Sequence, residues 1–224
     1  MTMKLTTTPG EFRQASRDRL AKQILNEKYV KLEVNNDFDI KESFQDNTTK
    51  ICCEVRLSGS KDSSSLFIES GGQGPVDAFF SGLSRQLSER FCSLNALKFS
   101  EFGVDANFAG IGFSLSGSDA PVEATLVVSN SQGSQFVFRD SSRSMNKAAI
   151  SVVLKAIEHF INLEEAVIML HDAIIDAEKR SRGDLFNRYA MQLAELVEKT
   201  SYVGSIRRNA KKLNLDYSPW DYED

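Results

Sequence analysis

The hydropathy of this chain changes period twice, and that change constrains its fold more than any other property. Residues 29–34 (YVKLEV), 51–57 (ICCEVRL) and 65–70 (SLFIES) alternate apolar and polar side chains, as half-buried strands do. From Val76 the apolar positions become Phe79, Phe80, Leu83, Leu87 and Phe91, the three-to-four spacing of a helix buried on one face. Period two then returns over 96–102, 106–116, 122–130 and 134–140. Helical spacing resumes over 145–162, with Ala149, Val152, Val153, Ala156, Ile157 and Phe160 on one side. Strands followed by a helix, twice over, predict an α+β fold of two pseudo-repeated βββα units, antiparallel sheets with helices packed on one face. The short SGSKDSS connection makes strands 51–57 and 65–70 an antiparallel pair, and NNDFD after residue 34 reads as a turn.

Helical segments flank this core. Residues 9–26 carry Pro9 near their start and a broken apolar stripe of Phe12, Leu20, Ile24 and Leu25. After Ile161 a second rhythm runs through Leu163, Ala166, Val167, Leu170, Ala173, Ile174 and Ala177. Arg182-Gly183 breaks it, and Leu185, Phe186, Tyr189, Leu193, Leu196 and Val197 follow. This predicts a helical hairpin whose apolar faces are too wide to be left in water. The expected division is therefore an N-terminal helical segment over 1–27, an α+β domain over 28–162, and a C-terminal hairpin and tail over 163–224.

Composition excludes several function classes. No apolar run reaches the roughly 18–20 residues that span a bilayer, and the first residues hold no apolar signal core, so a cytoplasmic protein is expected. With 27 Lys and Arg against 31 Asp and Glu, and a pI near 5.4, the chain lacks the basic surface that nucleic acid needs. Arg207, Arg208, Lys211 and Lys212 form one basic cluster, most simply a solvated turn. Three cysteines, Cys52, Cys53 and Cys92, make neither a disulfide framework nor a metal knuckle. Only two histidines, His159 and His171, are present, without partners at ligand spacing. They read as solvated or half-buried helix residues, and no metal, cofactor or catalytic residue is expected.

One segment carries chemical content. The strand-to-helix junction reads Glu69-Ser70-Gly71-Gly72-Gln73-Gly74-Pro75-Val76-Asp77-Ala78. Its glycines permit left-handed or closely approached backbone. Pro75 suits a first helical position, and Asp77 suits the first turn, where it meets free amides and the helix dipole. Such a junction exposes amides at a positive helix end, which fits a small carboxylate. It equally fits a plain, well-capped turn. No Gly-Lys-Ser/Thr follows, and the spacing is not that of a dinucleotide fingerprint.

Gly72-Gln73-Gly74-Pro75-Val76-Asp77-Ala78, placed between a strand and an amphipathic helix, resembles the signature of the C-terminal regulatory domain of 2-isopropylmalate synthases and citramalate synthases. That family also shows a G-x-D-A element on the following strand. Gly103-Val104-Asp105-Ala106 and Gly117-Ser118-Asp119-Ala120 are both candidates for it, and Leu154-Lys155-Ala156-Ile157-Glu158 is similar to the family's closing helix. The resemblance covers roughly residues 28–162. Where the family's second helix opens with an acidic residue, this chain reads Arg143-Ser144-Met145-Asn146-Lys147-Ala148-Ala149, so the acidic capping residue is absent unless Asp140 substitutes for it.

The resemblance implies a homodimer whose interface binds an end-product amino acid, leucine or isoleucine, lined by Gly72, Gly74, Pro75, Asp77, Ala78, Asp105 and Ala106. The family joins this domain to a catalytic (β/α)8 barrel, for which 224 residues leave no room. The expected protein is thus a non-catalytic regulatory or dimerisation module that binds a small branched-chain amino acid or partners a separate synthase subunit. The alternative is a structural dimer of the same fold that has lost its effector.

Overall fold

Pro9 opens the first helix, α1 (Pro9–Leu25), at a position where its missing N–H costs nothing. Leu20, Ala21 and Leu25 are buried, and most of the remaining helix is polar. The computed structural model describes residues 9–59, 64–106 and 121–197. A 3₁₀ turn over Asn26–Lys28 follows α1 and turns the chain into the first sheet.

That sheet is a meander of β1 (Lys31–Ser43), β2 (Thr48–Ser58) and β3 (Ser64–Gly72), antiparallel throughout and ordered β1-β2-β3. The expected turn at NNDFD is not a turn. The strand runs on through it, and the register slips between Asn35 and Phe38, so the polar cluster is absorbed as a bulge. The real turn lies over residues 44–47, where Asn47 takes a positive φ of 50°. Along β2, Thr49, Ile51, Cys53, Val55 and Leu57 are buried on one face, the period-two pattern expected. Cys53 faces the core and Cys52 lies on the opposite face.

α2 (Pro75–Leu87) packs back on β2 and β3. Gly82 makes this approach possible. A Cβ there would lie 2.6 Å from Ser70 Cβ and 2.9 Å from Ile68 Cγ2, closer than real side chains come.

The second sheet repeats the first: β4 (Lys98–Ala106), β5 (Val122–Ser129) and β6 (Gln135–Ser142), antiparallel and ordered β4-β5-β6. β4 carries its own register slip, between Phe99 and Glu101, so the first strand of each unit is bulged. The strand expected over 106–116 lies, beyond Ala106, outside the described residues. The β5–β6 turn is closed by the Asn130 carboxamide, which accepts from Gln132 N at 3.0 Å and Ser134 N at 2.9 Å, with Gly133 at a φ of 78°.

The helix that closes the second unit does not stop at residue 162. α3 (Met145–Lys179) is continuous over 35 residues, about 52 Å at the usual rise. No glycine or proline interrupts it, and its apolar face simply passes from one neighbour to the next. Its first half packs on β5, β6 and α2, inside a core that also holds Phe79, Leu83, Val55, Ile68 and Leu126. Its second half packs on α1 and on α4 (Gly183–Leu196), reached through Ser181 at a φ of 55°. Leu20, Ala21, Leu25, Leu163, Val167 and Leu170 make this smaller second core. The expected hairpin therefore exists, but its first arm is the far half of α3. Among the described residues no helix is long and apolar enough to cross a membrane.

The two units share their element order, and their strand-to-helix junctions keep a fixed offset along the chain. The helix N-caps Gly74 and Ser144 stand 70 residues apart. At the same spacing Ser70 corresponds to Asp140, and Arg85 to Lys155. Both pairs are in contact: Arg85 Nη2 donates to Ser70 Oγ at 3.1 Å, and Lys155 Nζ pairs with Asp140 Oδ1 at 3.0 Å.

Candidate functional site

The first strand-to-helix junction forms as its residue types dictate. Gly74 is the N-cap in extended geometry (φ −163°, ψ 169°), Pro75 is the first helical residue, and Ala78 N donates to Gly74 O at 2.9 Å to start the helix. Asp77 turns back, and its Oδ2 accepts from Gln73 N at 3.0 Å, satisfying one amide ahead of the helix. Gly72 is the residue this arrangement requires. A Cβ there would sit 2.5 Å from Asp77 Oδ2 and 2.7 Å from Ala78 N. Gly71 and Gly74 are under no such constraint, and none of the three has a positive φ. The glycines expected to bend the backbone thus serve close approach, at one position.

Gly72, Gly74, Pro75 and Asp77 form one partly exposed loop. Ala78 adjoins it through its backbone, while its methyl is fully buried in the core. Asp105 and Ala106 lie on the other sheet, at the end of β4. Phe99 of β4 meets Phe80 of α2 with ring centroids 6.0 Å apart. Six residues of strand, about 20 Å, separate that contact from Asp105. Asp105 is exposed and stands opposite Glu123 in the register. The alternative element at 117–120 lies outside the described residues, as do the basic cluster at 207–212 and the tail from 198.

The equivalent junction before α3 is built differently. Ser144 is the N-cap, and its Oγ accepts from Lys147 N at 3.3 Å. Asp140 does not cap this helix. Its carboxylate is held by Ser151 and Lys155, and these bonds keep its pKa below the ordinary carboxylate value despite partial burial. Lys147 occupies the position that Asp77 holds in the first unit, so one junction presents a carboxylate where the other presents an ammonium.

Compared with family models the chain matches none, and compared with curated proteins it again matches none.

The most organised polar chemistry lies elsewhere, along the middle of α3. Asn162, 1% exposed, accepts from Val30 N and donates to Val30 O, both at 2.8 Å. One turn earlier Glu158 accepts from Leu32 N at 2.6 Å, and burial raises its pKa above the usual value. Glu164 accepts from Cys92 N at 3.0 Å and Ser93 N at 2.8 Å, at the start of the 3₁₀ turn Cys92–Ala96. These three side chains fasten the entry of each sheet to one helix.

Both histidines are buried, contrary to expectation. His159, 2% exposed, sits among Phe136, Phe138 and Phe160, with Nδ1 2.5 Å from Asp18 Oδ1 on α1. His171, 5% exposed, has Nδ1 3.8 Å from Asp172 Oδ1, beyond hydrogen-bond reach, and burial lowers its pKa against the pull of that carboxylate. Cys53 is buried too, its thiol pushed up to about 12 by burial and then by the neighbouring Cys52. Among the described residues no cluster of His, Cys, Asp or Glu is placed to hold a metal ion. The signal that could have found the α3 groups is their position: His159, Asn162, Glu164 and His171 fall among the buried apolar residues of that helix.

Proposed function

We propose that this chain is a non-catalytic regulatory and dimerisation module of the 2-isopropylmalate synthase type, which binds a small branched-chain amino acid or partners a separate synthase subunit. The observation that carries the reading is the duplicated βββα architecture with the Gly72–Asp77 clamp at the first strand-to-helix junction. The burial of both histidines and of Cys53 gives no support to a nucleophilic or general-base site on those side chains. At the first junction the Asp77 carboxylate would face the ammonium of an amino acid. Free amides at a helix start favour its carboxylate.

Thermal unfolding with leucine, isoleucine and valine tests this. A ligand at a hundred times its Kd adds about 2.7 kcal/mol, which for a chain of this size raises Tm by about 5–10 °C. Asp77→Ala should weaken that rise. No rise at millimolar ligand, with a dimer retained, would leave the second reading, a structural dimer of the same fold. The cation Lys147 at the position equivalent to Asp77 favours that second reading.

A further inference from the structure

The two sheets end differently. In the second, α1 lies along the outer edge of β6, and the Gln14 carboxamide occupies that edge as a neighbouring strand would. Its Nε2 donates to Val137 O at 3.2 Å, and its Oε1 accepts from Val137 N at 3.3 Å. Arg139 on the same strand is paired with Glu11 of α1. The residue equivalent to Val137 in the first sheet, 70 positions earlier, is Phe67. There the outward carbonyl takes the side-chain amide of Gln86 at 2.6 Å, and Phe67 itself is 61% exposed, flanked by exposed Ser65 and Glu69. Among the described residues no strand pairs with this edge, and a strand edge beside an exposed aromatic ring is a template for another strand.

We propose that the outer edge of β3 is where a second copy of this chain docks, its own β3 adding antiparallel about a two-fold axis at Phe67 to make one continuous six-stranded sheet. This rests on the dimeric reading above and names its surface. Alternation fixes which groups can pair. Phe67 points its N–H and C=O away from β2, as the Gln86 bond shows, so Ser65 and Glu69 do the same. Among the registers that set these residues against each other, centring on Phe67 places ring against ring. It sets Glu69 of each copy opposite the partner's Ser65, with Arg56 on the next strand inward, paired to Ser65 in the β2–β3 register. Arg56, already bonded to Glu33 of β1 at 2.8 Å, then lies on one face between that carboxylate and Glu69 of the other copy, two strands away. A register centred on Glu69 would oppose two carboxylates. On the inner face Ile68 meets the partner's half-buried Leu66, extending the apolar layer under α2. Gln86, a long and exposed side chain, gives up the Phe67 carbonyl when the strand arrives.

Sedimentation velocity on the full chain, together with two variants, tests the surface. The wild type is expected to sediment at twice 25.0 kDa. Phe67→Pro removes an N–H that no strand within the sheet uses, so it should leave the circular dichroism unchanged and halve the mass. Phe67→Cys places two thiols across the axis within disulfide reach, so mild oxidation should link most of the chains. Glu69→Cys and the wild type should show only background linkage. A monomeric wild type overturns the proposal. So does a Phe67→Pro dimer with native dichroism, or a Phe67→Cys chain that links no better than Glu69→Cys. A wild-type dimer untouched by Phe67→Pro would reject this edge yet leave effector binding intact. Absence of any thermal response to amino acids, with a dimer that Phe67→Pro breaks, would do the reverse.

Discussion

Replacing Asn162 by alanine removes a fastener that the fold uses three times over. Its side chain accepts from Val30 N and donates to Val30 O and Glu158 O, each at 2.8 Å, and both Asn162 and Val30 are essentially excluded from solvent. Glu158 O keeps its helical partner, so its loss is small. Val30 keeps nothing: a buried N–H and a buried C=O are left without partners, each costing about 1–3 kcal/mol. The expected destabilisation is about 2–6 kcal/mol, a large share of the roughly 5–15 kcal/mol that holds a typical domain. Tm should fall by about 4–24 °C. Urea unfolding followed by circular dichroism measures it, and the midpoint should move while the slope stays constant. Asn162→Asp keeps an acceptor for Val30 N and loses the donor to Val30 O, so it should not exceed the stability of wild type. A loss below about 1 kcal/mol for Asn162→Ala would refute the reasoning, since it would mean that water or a shifted backbone replaces the amide at no cost.

Four further substitutions have defined outcomes. Gly72→Ala puts a methyl 2.5 Å from Asp77 Oδ2 and 2.7 Å from Ala78 N, so it should destabilise by about 1–3 kcal/mol and abolish any amino-acid-dependent rise in Tm. Gly74→Ala, with open space around it, should be tolerated in stability. Glu158 has a raised folded pKa, so its burial favours the protonated form; the stability this contributes is present below the ordinary value of 4.5 and lost as pH climbs through the folded pKa. Glu158→Gln, which keeps an oxygen for Leu32 N, should therefore gain stability at neutral pH and match wild type near pH 4, read by chemical unfolding at both. His171 has a lowered folded pKa, so the unfolded chain takes up its proton first and stability falls as pH drops below 6.5. His171→Leu should flatten that part of the pH profile.

Periodicity alone placed α1, α2, α4 and six of the seven expected strands near their observed positions, because alternation in β2 and three-to-four spacing in α2 each reflect burial on a single face; it divided α3 in two, and the seventh strand falls outside the described residues. It failed where a local signal competes with tertiary support. NNDFD is a turn by composition, yet β2 supplies pairing partners on either side of the slip and keeps the strand going. The change of apolar character at residue 162 marks a change of neighbours, and α3 passes through it because nothing in its backbone requires a stop. At the candidate site, the roles of Pro75 and Asp77 were legible because capping is local chemistry. The reason for Gly72 was not, since it depends on how closely Asp77 folds back. The Asn162, Glu164 and His159 contacts join residues some 70 to 140 positions apart, beyond the reach of any window along the chain.

The length of α3 has a consequence for how the molecule opens. One uninterrupted helix belongs to two cores of unequal size, and only the far part, from Leu163 on, depends on the smaller one. Partial unfolding therefore has a preferred direction. Undocking α1 and α4 costs few buried side chains and frays α3 from its C-terminal end, while the segment clamped by Glu158, Asn162 and Glu164 acts as a stop. Amide hydrogen exchange along this single helix should fall as a step near residue 164: slow and close to global before it, fast and sub-global after it.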